Sequence, residues 1–172
     1  MNSTARVESA AFTLMKTLLF TLVAPCAVGM YIPYALLKSR GEFFLPEVSL
    51  TAVLGCLFVL AGAAGYFYCA GAFVFFGYGT PAPIDPPKVL VARGLYRFIR
   101  NPMYFSGLLV LLGESLLFES RTLLVYAFCI WIAYSLFVLL YEEPALRDKF
   151  GETYVEYCKR VPRWIPRIPR TD

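Results

Sequence analysis

PPKVLVARGLYRFIRNPMYFSG, residues 86–107, separates two apolar halves of the chain and is the most basic, turn-rich segment between them. Arg93, Arg97 and Arg100 recur at helical spacing, and Asn101-Pro102 then imposes a break. Asn101 suits a helix N-cap and Pro102 the first helical position, where its missing N–H is no loss. The pattern predicts a short interfacial helix over Leu90–Ile99, with Leu95, Phe98 and Ile99 toward lipid and the arginines toward headgroups or ligand. A longer helix then starts at Asn101-Pro102-Met103-Tyr104. Its free N–H groups and positive dipole end would make an anion site, backed by Arg97 or Arg100.

On either side of this segment the chain is unusually apolar: 59% of its 172 residues are hydrophobic. Uncharged runs over Phe20–Leu37, Val48–Ile84 and Thr122–Tyr141 each reach the roughly 20 residues of helix that cross a bilayer core. A fourth, Met103–Phe118, is shorter and carries Glu114. The expected fold is all-α: a polytopic membrane bundle of about four transmembrane helices with a C-terminal amphipathic helix. One domain fills residues 1–172, a helical pair over 1–77 followed by a ligand-binding half over 78–172. The net charge of +4 suggests no nucleic-acid partner, because the cations cluster by topology. Arg6 and Lys16, then Lys88 to Arg100, then the seven from Arg147 to Arg170 share one side; Lys38, Arg40 and Arg121 take the other. The positive-inside bias puts both termini in the cytoplasm. The first apolar run is long and lacks a small-residue cleavage pattern, so it reads as a retained helix.

Within the first span, over Ala11–Leu37, Pro25 is expected to kink the helix. Lys38–Glu47 is then an external loop. Span two carries Gly55, Gly62, Gly65 and Gly71, with Ala61 and Gly65 in small-xxx-small relation, which permits close helix approach in lipid. Gly77–Pro87, with four prolines and two glycines, reads as a stiff strap. Glu119–Thr122 turns spans three and four into an antiparallel hairpin. That hairpin brings Glu142-Glu143 beside Asn101-Pro102 at the same membrane face. Pro144 ends or kinks the last span, and Leu146, Phe150, Tyr154, Tyr157 and Val161 mark one amphipathic helix beyond it.

The chain has no histidine, so catalysis falls to carboxylates, arginines, tyrosines or a cofactor. Five scattered cysteines show no metal-ligand spacing, and no metal is expected. The meeting point offers two carboxylates, arginines, a helix start and tyrosines. A zwitterionic cofactor such as S-adenosylmethionine suits it, with its ammonium on Glu142 or Glu143, its carboxylate on the helix start or an arginine, and its sulfonium against Tyr96 or Tyr104. Taken singly, these features also fit a solvated helix end, topology signals and an aromatic belt. Glu114 resists such a reading, since a carboxylate inside a span normally faces a partner or a cavity.

LVARGLYRFIRNPMYFSG, followed after the hairpin by EEPALRDKFGETYVEYCKRVPRWIP, resembles the integral-membrane methyltransferases related to isoprenylcysteine carboxyl methyltransferase and phospholipid N-methyltransferases. The resemblance spans about Pro81–Pro166. It implies a cofactor pocket for S-adenosylmethionine built from Leu90, Val91, Gly94, Tyr96, Arg100, Asn101, Pro102, Tyr104, Glu142 and Glu143, with Glu142, Glu143 and Tyr104 nearest the chemistry. It also implies lateral access from the bilayer for a lipid-like methyl acceptor. Three positions depart from the isoprenylcysteine branch: Val89 (or Lys88) and Asn101 stand for histidines, and Val138 for an arginine on the last span.

The expected activity is therefore methyl transfer to an amphiphile in the cytoplasmic leaflet, of a bacterial inner membrane by resemblance. The acceptor is first a phospholipid amine and second an isoprenoid or lipidated cysteine carboxylate. Competing classes are a nicotinamide-dependent membrane reductase, disfavoured by the few spans, and a non-catalytic lipid-binding protein. The sequence sets no oligomeric state.

Overall fold

The computed structural model describes residues 10–44, 46–80 and 87–168; among them the chain is all helical, with no strand. Three continuous helical stretches are long and apolar enough to cross a membrane: Phe12–Arg40, Leu50–Gly77 and Arg121–Phe150. A further apolar helix, Pro102–Leu117, has 16 residues and runs about 24 Å. Leu18, Leu19, Leu22, Val23, Leu57, Leu60, Val125 and Phe128 are all more than half exposed. That apolar exterior is what a bilayer solvates and water does not.

The first stretch is α1 (Ala10–Cys26), a π turn over Ala27–Tyr31, and α2 (Ile32–Arg40). Regular helix continues through Pro25, and the departure from α geometry comes after it, ahead of Pro33. Proline has no N–H for the carbonyl four residues back. The ladder lengthens here, the Ile32 N–H reaching Ala27 O, while the Tyr126 hydroxyl donates to Val28 O at 2.9 Å. Gly41 in the left-handed region (φ 68°) ends α2, and the Glu42 N–H returns 2.9 Å to Leu37 O, closing the helix as a Schellman turn.

Ser49 caps α3 (Leu50–Ala72), its hydroxyl accepting from the Ala52 N–H at 3.1 Å. Helix α4 (Pro102–Leu117) makes its most extensive contact with α3. The seam is backbone against backbone: a Cβ on Gly113 would sit 2.7 Å from Gly55 O, and one on Gly62 2.6 Å from Ser106 O. Gly55, Gly62 and Gly65 therefore form the contact row. Ala61 is exposed and Gly71 meets only Phe75 of its own chain segment, so the Ala61–Gly65 pairing is not the interface.

Ser120 caps α5 (Arg121–Phe137) by accepting from the Leu123 N–H at 3.1 Å. The turns at this end of the bundle are tied together: Ser120 and Thr122 both donate to Glu42, and Thr51 donates to Glu119 at 2.8 Å. These two acceptors hold the α2–α3 loop and the α4–α5 hairpin in register. After α5 comes a second proline-linked π turn, Val138–Glu142, in which the Glu143 N–H reaches back to Val138 O, two residues before the Leu140 carbonyl that Pro144 leaves without a donor. The chain is not stopped by Pro144; it continues as α6 (Glu143–Phe150). Gly151, at φ 54°, then separates α6 from α7 (Glu152–Arg160), so two short helices stand where a single one is expected. Tyr154, Tyr157 and Val161 nevertheless converge in one buried cluster with Leu146 and Phe150 packed against it. Of the strap Gly77–Pro87, residues 81–86 lie outside the described residues.

Candidate functional site

The interfacial helix expected over Leu90–Ile99 shrinks to a single 3-10 turn, Gly94–Arg97. Gly94 opens it at φ 55°, a conformation L side chains rarely adopt, and the Tyr68 ring occupies the side where a Cβ would project. The arginines consequently share no face. Arg93 is exposed over the Phe76 ring, 5.6 Å from its centroid, and Arg97 is exposed, whereas Arg100 turns inward. Ile99 is buried and does not face lipid.

Residues 96–101 are held by the C-terminal segment. The Arg100 N–H donates 2.9 Å to Pro162 O, the Arg167 N–H 3.0 Å to Phe98 O, and the Tyr157 hydroxyl 2.7 Å to Tyr96 O. Asn101 begins α4 but does not cap it with its side chain; the amide donates instead to Arg163 O at 3.2 Å. Pro102 takes the first helical position. The helix start keeps its own N–H groups for another acceptor, since its side-chain cap is missing.

Two acids arrive from the π turn with opposite fates. Glu143 is 4% exposed and lies between two guanidinium groups, 3.1 Å from Arg100 Nη1 and gripped by Arg163 through Nε at 2.7 Å and Nη2 at 3.0 Å. Bidentate geometry of this kind is the strong form of the carboxylate–arginine pair. Glu142 makes no ion pair among the described residues; its Oε2 accepts a 2.7 Å hydrogen bond from the Tyr104 hydroxyl, and the Tyr104 ring packs on Tyr134.

These elements enclose a cleft of about 1090 Å³, counting the solvent at its mouth. Leu90, Val91, Tyr96, Arg100, Asn101, Tyr104 and Glu142 line it. Gly94 and Pro102 shape the backbone beside it without lining it, and Glu143 stands behind the wall. Of the two acids expected here, Glu143 is held by two cations and Glu142 is the one that faces the cavity. Phe73, Lys149, Phe150, Tyr154 and Tyr157 also line the cleft and were not singled out as ligands. The spacing of Tyr154 and Tyr157 carried a signal, but it read as amphipathicity. Nothing distinguished Arg163 from the other cations of the tail.

One buried polar atom of a cleft residue, Arg100 Nε, lacks a hydrogen-bond partner, and the Tyr96 hydroxyl meets only the Cys69 thiol, a weak acceptor. Tyr96 is packed against Cys69, Val91 and Phe73, and burial pushes its phenol well above the usual range, so it is a neutral donor. Leaving such groups unpaired is costly, and a bound polar molecule would relieve it. Among the described residues no cluster of three or more potential metal ligands forms. The cleft thus combines one carboxylate without a cation, one unused guanidinium donor, a weakly held phenol, a helix start and aromatic faces.

Residues 50–153 match the family model described as phospholipid methyltransferase. Among curated proteins, the chain is 33% identical over 82 residues to the protein-S-isoprenylcysteine O-methyltransferase of Schizosaccharomyces pombe, covering 47% of this chain and 34% of that protein. It is 30% identical over 149 residues to the enzyme of the same name from Saccharomyces cerevisiae, covering 78% of this chain and 61% of the other. It is also 34% identical over 74 residues to methanethiol S-methyltransferase 2 of Bradyrhizobium diazoefficiens, covering 43% of this chain and 27% of that one. The chain therefore spans between about a third and three-fifths of these isoprenylcysteine enzymes. The matched region runs from α3 to the start of α7 and includes the residues that line the cleft other than Tyr154 and Tyr157. The chain belongs to the phospholipid methyltransferase family.

Proposed function

We propose that this protein transfers a methyl group from S-adenosylmethionine to an amphiphile at the cytoplasmic face of a membrane. The observation that carries the reading is the set of under-used polar groups around the cleft: Glu142 without a cation, Arg100 Nε without a partner, and the Tyr96 hydroxyl held only by the weak Cys69 thiol. They fit a zwitterion. Glu142 would hold the ammonium, Arg100 Nε and the start of α4 the carboxylate, and the Tyr96 hydroxyl a ribose or base acceptor. Tyr104 and Phe73 offer ring faces to a sulfonium.

When bound, S-adenosylmethionine supplies a methyl already activated by the sulfonium. The protein's residues then have to orient, exclude water and manage a proton. Tyr104 holds the Glu142 carboxylate in one direction, and the Arg100–Glu143–Arg163 triad fixes the wall behind it. No histidine is needed. With an amine acceptor, Glu142 is the group placed to receive the proton that the ammonium must lose.

The first choice of acceptor is a phospholipid amine, a reading supported by the matching family model's description as phospholipid methyltransferase. A second reading is the carboxylate of an isoprenylated cysteine, supported by the names of the relatives and by Lys149 in the cleft wall. The missing arginine weighs against it, since Val138 occupies that position and is 1% exposed. We place four spans in the membrane, α4 being the short fourth, with both termini and the cleft on the cytoplasmic side as the distribution of arginine and lysine indicates. Residues 78–172 form the cofactor-binding half on the helical pair 1–77.

Equilibrium binding of S-adenosylhomocysteine and of NADPH to the protein in lipid nanodiscs tests the reading. Binding of S-adenosylhomocysteine alone is expected. Binding of NADPH with no response to S-adenosylhomocysteine would replace it with a reductase.

A further inference from the structure

A second cavity, of about 1540 Å³ counting its mouth, lies among the spans. Its walls include Phe20 and Pro25 of α1, Val59 and Tyr66 of α3, Val110 of α4 and Phe137 of α5. Met103, Tyr104 and Phe137 line both this cavity and the cleft, so the two meet at the Tyr104–Glu142 pair. From there the cavity follows α4 to Glu114, ten residues on and roughly 15 Å away.

Most polar groups in and around this space are already satisfied within the protein. Thr21 and Tyr66 hydrogen-bond each other at 2.8 Å, and the Tyr126 hydroxyl is taken by Val28 O. Glu114 Oε2 is different: it is buried and has no hydrogen-bond partner. A carboxyl in a span is expensive, and a plain hydrocarbon chain lying against it would leave the cost in place. A ligand that carries a donor at that depth removes it. A hydroxyl does so without bringing a second charge into an otherwise apolar space.

We infer that the membrane cavity takes an amphiphile with a hydroxyl on its chain, and that Glu114 accepts the hydrogen bond from that hydroxyl while the reacting head lies at Tyr104–Glu142. The ligand is thus polar at two points about 15 Å apart. Glu114 acts as a specificity residue that selects the acceptor and fixes how deep it sits, without touching the reacting atoms. The inference rests on the methyl-transfer reading for the chemistry at the near end; the pairing at Glu114 stands on the cavity itself.

Calorimetric titration of the full chain in lipid nanodiscs, with S-adenosylhomocysteine present, tests it. The probes are dodecylamine and its ω-hydroxy analogue, with dodecanoic acid and its ω-hydroxy analogue as a second pair for a carboxylate head. In the wild type the hydroxylated member of at least one pair is expected to bind about three- to tenfold tighter, the worth of one hydrogen bond. Glu114→Leu should abolish that preference, and Glu114→Gln, which keeps an acceptor carbonyl, should retain most of it. Equal affinity within both pairs, or a preference that survives Glu114→Leu, overturns the inference. A hydroxyl preference lost in Glu114→Leu but seen in a protein that fails to bind S-adenosylhomocysteine upholds Glu114 and counts against methyl transfer alone.

Discussion

Tyr104 and Glu142, 38 residues apart in the chain, are joined by a 2.7 Å hydrogen bond at the point where the cleft and the membrane cavity meet. The bond depends on two local features. Pro102 starts α4 so that Tyr104 lies in its first turn, and the Val138–Glu142 π turn rotates the acids that follow α5. One acid then faces the cleft and its neighbour faces away.

That division of labour separates the effects of replacing each acid. Glu142→Gln should leave the unfolding midpoint in detergent nearly unchanged and weaken S-adenosylhomocysteine binding by about 1.5 to 3 kcal/mol, the range for hydrogen bonds to charged groups. Titration of both proteins checks it.

Glu143→Ala should behave in the opposite way. Removing it leaves Arg100 and Arg163 with an unpaired charge beside a buried wall, which costs on the order of 3 kcal/mol of stability. Denaturant unfolding should show the loss, and any fall in ligand affinity should follow from the displaced Arg100.

How the tail contributes is tested by Tyr157→Phe. The hydroxyl closes a 2.7 Å bond on Tyr96 O, and its loss leaves a buried carbonyl unpaired at a cost of about 1 to 3 kcal/mol. The same unfolding assay reads this out.

Gly113→Leu addresses the seam between α3 and α4. Even a Cβ there would approach Gly55 O and the Val59 N–H at 2.7 Å, backbone atoms that cannot swing aside. Overpacking of this kind costs about 1 to 3 kcal/mol, and since α4 carries Tyr104, ligand affinity should drop together with stability.

Much of the fold was legible because hydropathy and charge are one-dimensional signals. The apolar runs mark α1–α5, and Asn101-Pro102 marks the start of α4 to within a residue. The meeting of residues 100–104 with 142–143 followed from hairpin geometry alone. What escaped depends on how backbone hydrogen bonds are redistributed. Pro144 reads as a stop or a kink, and a π turn keeps the helix going and sets which way Glu142 and Glu143 point. Asn101 reads as a cap, yet its amide is drawn to the tail at Arg163 O. Arg93, Arg97 and Arg100 read as one face, and the positive φ at Gly94 breaks that face into separate directions. Arg163 was invisible because a partner for a buried acid looks, in sequence, like any other basic residue of a tail.

The central claim is tested most directly by transfer of labelled methyl from S-adenosylmethionine. The 172-residue chain in nanodiscs is given a panel containing phosphatidylethanolamine and an S-prenylated cysteine with a free carboxylate. The expected result is label on one of the two, first on the phospholipid amine, and its loss in Glu142→Gln at subsaturating cofactor. Cofactor binding with no label on any member of a panel that includes both acceptor classes would contradict it.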